Sequence, residues 1–398
     1  MKKLPLKLLF FAIIAITFIS CKNDDTPEVA CLPLDLVNET HWSGPFAGTD
    51  PTVLYIPDTY AVYWYFVVDR SQSPNQYIQI NGDYGNARYM SYNVYDLNEL
   101  TTLGSILDKD MAPHCDSYNP FTPGINVNGT LSTYRVNIVP NNIEVADINN
   151  ELKFDEKISS LIVMLRYYVY KTDLMAGVPL PTIIGRDPVS GSEVPILFSS
   201  QAPSVDVTPF TNQLNDFAKA GQLDFIGFWK LESSGLLENH DNIYLIGPGI
   251  VKEDELAIIK FQPPSFQLDL SQPKDVRYWS LNIGDNKTLN YNGIKDEDAI
   301  LADDGWCYIV YGRSNNEVKS MCTEKKFNYV EWNVPSDTAF FTYRNLVSND
   351  FPGNLDNVPT VDPTQPLESL ILDLAKNYIG NYAPRGEKMT ITDFLNSK

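Results

Sequence analysis

The chain has 398 residues, 43% of them hydrophobic and 20% charged, with a formal net charge of −20. That length allows two hydrophobic cores, since single cores stop growing near roughly 250 to 300 residues, and the composition is globular rather than disordered. The acidic field repels nucleic acid and anionic lipid headgroups, so no nucleic-acid partner is expected and membrane attachment requires a covalent anchor.

Lys2, Lys3 and Lys7 open the chain, and Leu8 to Ile19 is an apolar run too short for a permanent span. It ends at Ser20-Cys21. This layout resembles a bacterial lipoprotein signal peptide over residues 1–20, although Phe18-Ile19-Ser20 departs from the usual sequence before the cysteine. The resemblance implies that the Cys21 thiol carries the lipid, palmitate included. Lys22-Asn23-Asp24-Asp25 resembles the signal that sends lipoproteins of Bacteroidota to the outer face of the outer membrane. A lipid-anchored outer-membrane protein at the cell surface is therefore expected.

Residues 21–50 carry Pro27, Pro33, Gly44, Pro45 and Gly48 and read as a tether and entry loop. Strand signals follow. Thr52–Ile56 and Thr59–Val68 are rich in Val, Tyr, Phe and Trp around a turn at Pro57-Asp58. Tyr77–Ile80 alternates and stops at Asn81-Gly82, which signals a hairpin into the next strand.

That next strand, Arg88-Tyr89-Met90-Ser91-Tyr92-Asn93-Val94-Tyr95-Asp96, occurs twice. Arg277-Tyr278-Trp279-Ser280-Leu281-Asn282-Ile283-Gly284-Asp285 keeps its Arg, Tyr, Ser, Asn and Asp. Period two separates an apolar face that varies (Met90, Tyr92, Val94 against Trp279, Leu281, Ile283) from a Tyr-Ser-Asn face that does not. Packing faces accept exchange of one large apolar residue for another, whereas hydrogen-bonding faces do not. The copies extend further: Tyr77 and Phe266 before each Arg, Gly104 and Gly293 after, then Asp108 with Asp110 and Asp296 with Asp298. Strands at Tyr134–Val139 and Trp306–Tyr311 follow, and apolar runs close at Arg166 and Arg344. The expected fold is all-β: two tandem antiparallel β-sandwich units, jelly-roll-like, at 51–200 and 236–350, with a few short helices.

The Tyr-Trp-Ser strand, Asp304-Gly305-Trp306, the Trp332 to Pro335 stretch and the Arg-ended strand resemble a bacterial β-sandwich family of unknown function, with secreted or envelope-associated members. The first unit is similar to exported relatives with a Ser-x-Asn-Pro-Phe loop, here Ser117 to Phe121. The resemblance carries no catalytic residue across. Between the units, 201–235 reads as a bridge with a short helix at Thr211–Ala220; 351–398 reads as a linker and a helix at Leu367–Tyr378 stopped by Gly380.

Beyond Cys21 there are four cysteines, an even number that allows two disulfides in an exported chain. Cys307 and Cys322 flank an expected hairpin and are paired here, leaving Cys31 to Cys115. The usual nucleophile, zinc and phosphate-loop signatures are missing, and no metal site is assigned. His41, His114 and His240 lie far apart in sequence; His114-Cys115-Asp116 reads as a surface loop. The paired aspartates offer oxygen ligands for Ca²⁺, but turn chemistry explains them better. Arg88 and Arg277 could clamp a carboxylate or phosphate, or bond a loop aspartate of their own unit such as Asp96 or Asp108. Trp42, Tyr63, Trp64, Tyr65 and Trp332 could form stacking platforms. The expected function is non-catalytic binding of a glycan or small molecule, or scaffolding; the alternative is a hydrolase or other small-molecule enzyme with its site between the units.

Overall fold

The computed structural model describes residues 34, 41–48, 57–115, 117–123, 132–145, 149–200, 212, 215–216, 223–231, 237–285, 290–361 and 373–397. The signal segment, most of the tether and entry loop with Cys21 and Cys31, Thr52–Ile56 and most of Thr211–Ala220 lie outside them, while Ser43–Ala47, read as part of the entry loop, is a strand.

The first unit contains Ser43–Ala47 (β1), Ala61–Asp69 (β2), Tyr77–Asp83 (β3), Ala87–Asp96 (β4), Thr102–Leu107 (β5), Thr133–Pro140 (β6), Glu151–Phe154 (β7), Ser160–Tyr170 (β8), Thr182–Arg186 (β9) and Glu193–Val194 (β10). They form two five-stranded sheets in the orders β1-β2-β8-β4-β5 and β10-β9-β3-β6-β7. The rest comprises Phe225–Ile226 (β11), Lys230–Leu231 (β12), Asn242–Ile250 (β13), Glu255–Phe261 (β14), Val276–Gly284 (β15), Asn290–Lys295 (β16), Cys307–Gly312 (β17), Asn328–Glu331 (β18), Thr338–Ser348 (β19), Thr360–Val361 (β20) and Arg385–Thr390 (β21). Their sheets run β13-β19-β15-β16 and β11-β21-β14-β17-β18, with β12 and β20 as a separate pair. The main ladders are antiparallel, but each unit has a parallel pair at a sheet edge, β6 with β7 and β17 with β18, and the separate pair β12 with β20 is also parallel.

Each unit is a sandwich with its own core. In the first, Val62, Trp64, Tyr92, Val94, Val163 and Leu165 of one sheet meet Ile78, Ile80, Val136 and Ile138 of the other. In the second, Trp279, Leu281, Phe341 and Tyr343 meet Ala257, Ile259, Ile309 and Tyr311. The central strands β8 and β19 read as nearly continuous apolar runs because both of their faces are covered. One face enters the sandwich core and the other enters a third cluster shared by the units, with Tyr89, Tyr95 and Tyr168 against Tyr278, Leu346 and Leu237.

Several expectations are corrected. Asn81-Gly82 is not a hairpin turn: β3 continues through both residues and pairs with β6 and β9 in the opposite sheet from β4. Gly82 is there for close approach, since a Cβ would lie 2.6 Å from the Tyr134 hydroxyl. Cys307 and Cys322 are free thiols. Cys307 on β17 faces the sandwich core, whereas Cys322 lies on a helix, Asn316–Lys325, packed on the outer face of the same sheet. The sheet separates the two sulfurs. That helix was legible, since Asn315 accepts from the Glu317 and Val318 amides and Val318, Met321 and Cys322 are the buried stripe. The C-terminal region supplies β21 and a helix, Ile391–Asn396, whose Phe394 joins the same outer cover. Within the helix read over Leu367–Tyr378, the described residues begin at 373 and form a helix at Leu374–Ile379.

Candidate functional site

The repeated face of β4 and β15 is the junction between the units. Tyr89, Ser91, Asn93, Tyr278, Ser280 and Asn282 are all fully buried. The segment entering β2 in the first unit and the one entering β13 in the second each reach across to the other unit's polar face. Asp58, ahead of β2, accepts from Tyr278 Oη at 2.9 Å and Ser280 Oγ at 2.7 Å. On the matching side, Asn239 and Asp241, ahead of β13, accept from Tyr89 Oη at 3.2 and 2.7 Å. Arg166 donates to the Leu237 carbonyl at 2.6 Å, and its counterpart Arg344 donates to the Pro57 carbonyl at 3.2 Å. Ser91 departs from the pattern by donating to Asn93 Oδ1 within its own strand.

Arg88 and Arg277 do not bond aspartates of their own units. Arg88 forks onto Asp296 at 2.6 and 2.7 Å and reaches Glu297 at 2.8 Å, while Arg277 bonds Asp108 at 2.5 Å. Each aspartate is also fixed within its own unit: Asp108 Oδ2 accepts the Met90 amide and Asp296 Oδ2 the Trp279 amide. Contacts that exchange partners in this way are the signature of an isologous interface, here within one chain. It explains why the Tyr-Ser-Asn face is the invariant one. Burial pushes the Asp108 carboxyl up to about 6 against the pull of Arg277, and raises Asp296 against Arg88.

The other candidates lie apart from this junction. Asp110 and Asp298 are exposed and bonded to Lys109 and Lys295, so each acidic pair sends its two carboxylates to different partners. Among the described residues, no three His, Cys, Asp or Glu side chains are grouped as a metal site. His114 is half-buried and His240 exposed, on different loops; Asp116 and Cys31 lie outside the described residues. Trp42, Tyr63, Trp64 and Trp332 are buried, which leaves Tyr65 as the aromatic that reaches the surface.

Tyr65 lines a cleft on the outer edge of β2. Ser43 of β1 pairs opposite Tyr65, whereas Phe198 bridges Val68 and the Ser199 amide donates to the Val67 carbonyl. Between these two partial neighbours the edge opens into about 80 Å³ lined by His41, Ser43, Tyr65, Val67, Phe198, Ser199 and Ser200. The rings are ordered in parallel pairs, His41 on Phe198 at 3.8 Å and Phe46 on Tyr65 at 5.2 Å. Tyr65 is raised by its partial burial and stays a neutral hydroxyl. His41 and Tyr65 were individually visible in the sequence; their meeting with Phe198 and the serines was not, because nothing local marks two segments sharing one strand edge.

No protein-family model matches the sequence, and no curated protein matches it. Among solved structures, the chain is similar to an uncharacterised protein from Burkholderia cenocepacia, with a TM-score of 0.52 at 10% identity over 88% of this chain and 82% of that one. A protein of Vibrio parahaemolyticus aligns with a TM-score of 0.44 at 11% identity, over 84% of this chain and 89% of that one. The likeness to the first is one of fold: an all-β architecture shared with an uncharacterised bacterial protein.

Proposed function

We propose that the chain is a cell-surface lipoprotein of the outer membrane that binds a small glycan without transforming it, using the cleft beside Tyr65. The observation that carries this reading is the cleft's make-up: the parallel His41 and Phe198 rings and the Tyr65 ring beside the hydroxyls of Ser43 and Ser200. A sugar presents an apolar ring face and a rim of hydroxyls, which such a surface matches. The lipid anchor at Cys21 rests on the resemblance of residues 1–25, and a Cys31–Cys115 disulfide would suit an exported chain, while Cys307 and Cys322 are free. Supporting a scaffold role for the junction, its matching Tyr and Arg side chains and Ser280 are buried and engaged across it rather than arranged around an opening.

The test has two arms. Palmitate labelling of cells expressing the chain should be lost on Cys21→Ala. A glycan panel read by calorimetry on residues 22–398 should give a neutral oligosaccharide whose affinity falls about tenfold or more on Tyr65→Ala, the scale of losing one aromatic contact. A panel with no binder, or a binder indifferent to Tyr65→Ala, would remove the cleft from the proposal.

A further inference from the structure

The second unit carries a surface feature independent of the β2 cleft. On the outer face of the β21-β14-β17 sheet, Arg385, Lys260 and Tyr308 occupy one cross-strand row, since Lys260 pairs with both Arg385 and Tyr308. Helices Asn316–Lys325 and Ile391–Asn396 cover the adjoining apolar rows at Leu256, Ile258 and Val310. This row lies at the strand ends beyond them, and its residues are half-buried.

The row gathers cations and rings. Lys260 Nζ lies 6.0 Å from the Trp306 ring centre and 5.8 Å from that of Tyr308, and the Arg385 guanidinium carbon lies 5.9 Å from Trp306. Tyr308 in turn stacks on Phe327 at 4.3 Å and 12°. Neither Lys260 nor Arg385 forms an ion pair among the described residues, in a chain of net charge −20. The acids nearby are otherwise placed: Asp304 accepts from Tyr308 Oη at 2.9 Å and from the Trp306 amide, Asp303 is paired to Lys326, and Glu387 stands exposed two residues along β21 from Arg385. The Trp306 amide lowers the Asp304 carboxyl and Lys260 lies close enough to help, but neither cation is in ion-pair contact with a described carboxylate. Two such cations beside aromatic rings are complementary to an anion carried on a group with an apolar face.

We infer that this row is a binding site for an acidic saccharide, a uronate-bearing oligosaccharide whose carboxylate is taken by Lys260 and Arg385 and whose sugar ring lies against the Trp306 and Tyr308 side chains. A small charged glycan suits the row better than an acidic protein, because the long-range field of the chain opposes a bulky anion while salt screens it for a compact one. Asp304, holding Tyr308 in place, remains an acceptor for sugar hydroxyls.

Calorimetry with tetragalacturonate on residues 22–398 tests the site, with neutral tetragalactose and a hexaglutamate peptide as comparisons. Binding of tetragalacturonate is expected, weakened in about 0.5 M NaCl and reduced about tenfold or more in Lys260→Ala/Arg385→Ala, the scale of one charge-assisted contact. Lys260→Met and Arg385→Met, checked for unchanged melting, cover the case in which the double variant misfolds. Tyr65→Ala should leave this binding untouched, so failure here and failure of the cleft reading are separable. The inference is overturned if tetragalacturonate does not bind, if the cation variants bind it as well as wild type, if Tyr65→Ala abolishes it, or if hexaglutamate binds equally well.

Discussion

Arg277 Nη1 lies 2.5 Å from Asp108 Oδ1 across a sequence separation of 169 residues, and the pair is answered by Arg88 with Asp296. Both aspartate side chains are fully buried, while those of Arg277 and Arg88 are 3% and 8% exposed. Such pairs add little over an apolar pair of the same shape, but removing one member strands the other without a partner. Asp108→Ala is therefore expected to cost about 3 to 5 kcal/mol in urea unfolding. Asp108→Ala/Arg277→Ala should cost less than the two single changes summed, because the double change leaves no orphaned charge. Strict additivity would show that the two groups do not act as a pair.

The same aspartate gives the fold a pH dependence of definite sign. Burial raises the Asp108 carboxyl from its ordinary 3.8 to about 6, so the folded chain holds this proton more tightly than the unfolded chain does. Its contribution is fully present below about pH 4 and is lost as pH rises through about 6. Asp296 is shifted the same way by its own burial. Asp69, Asp187, Asp269 and Asp304 are lowered by hydrogen bonds from neighbouring backbone amides and act oppositely at more acid pH. The contribution of Asp108 is thus best read as a difference. Between about pH 4 and 6 the melting temperature of wild type should fall relative to that of Asp108→Asn, which does not titrate. Parallel curves would show that Asp108 is not titrating in this window.

The duplication was legible because it left the same five side chains twice in two short strands, and period two told which face mattered. The faces of β4 came out correctly: Met90, Tyr92 and Val94 enter the core while Tyr89, Ser91 and Asn93 point away from it. What they point at was not legible. A local pattern shows that Arg88 recurs with an aspartate, and an aspartate of its own unit satisfies that pattern as well as one from its twin. Only the packing of the two units selects Asp296. The Asn81-Gly82 reading failed for a related reason, since a glycine demanded by the Tyr134 ring across the sheet looks the same in sequence as one demanded by a turn. The binding surfaces were still less visible, because Tyr65 with Phe198, and Lys260 with Arg385, are joined only by strand pairing.

Free Cys307 and Cys322 predict a labelling pattern. Burial raises both thiols to about 12, so neither is a thiolate at neutral pH and neither should react with iodoacetamide in the folded chain. Unfolding in guanidinium without reductant should expose both to alkylation, seen by peptide mass spectrometry as one adduct on each. Recovery of a peptide linking Cys307 to Cys322 from fresh protein would contradict the placement of these residues on opposite faces of β17 and its sheet.

Gly104 and Gly293 follow Arg88 and Arg277 at equal distances in sequence, yet they are not equivalent in the fold. Gly104 pairs with Val94, whereas Gly293 pairs with Asn282, the counterpart of Asn93, because the second β-hairpin loses a residue at its turn, ahead of the glycine. A Cβ on Gly104 would find its nearest neighbour, in Leu152, at 3.7 Å. On Gly293 it would lie 2.0 Å from Asn282 Oδ1, beside a carbonyl that accepts Tyr60 Oη from the other unit at 2.7 Å. Gly104→Ala should accordingly change stability by no more than about 0.5 kcal/mol, as at uncrowded sites. Gly293→Ala should cost about 1 to 3 kcal/mol, the range for overpacking a closed interior. Urea midpoints of the two variants measured side by side decide it: equal effects would mean that the spacing in sequence, rather than the register of β15 with β16, describes these glycines.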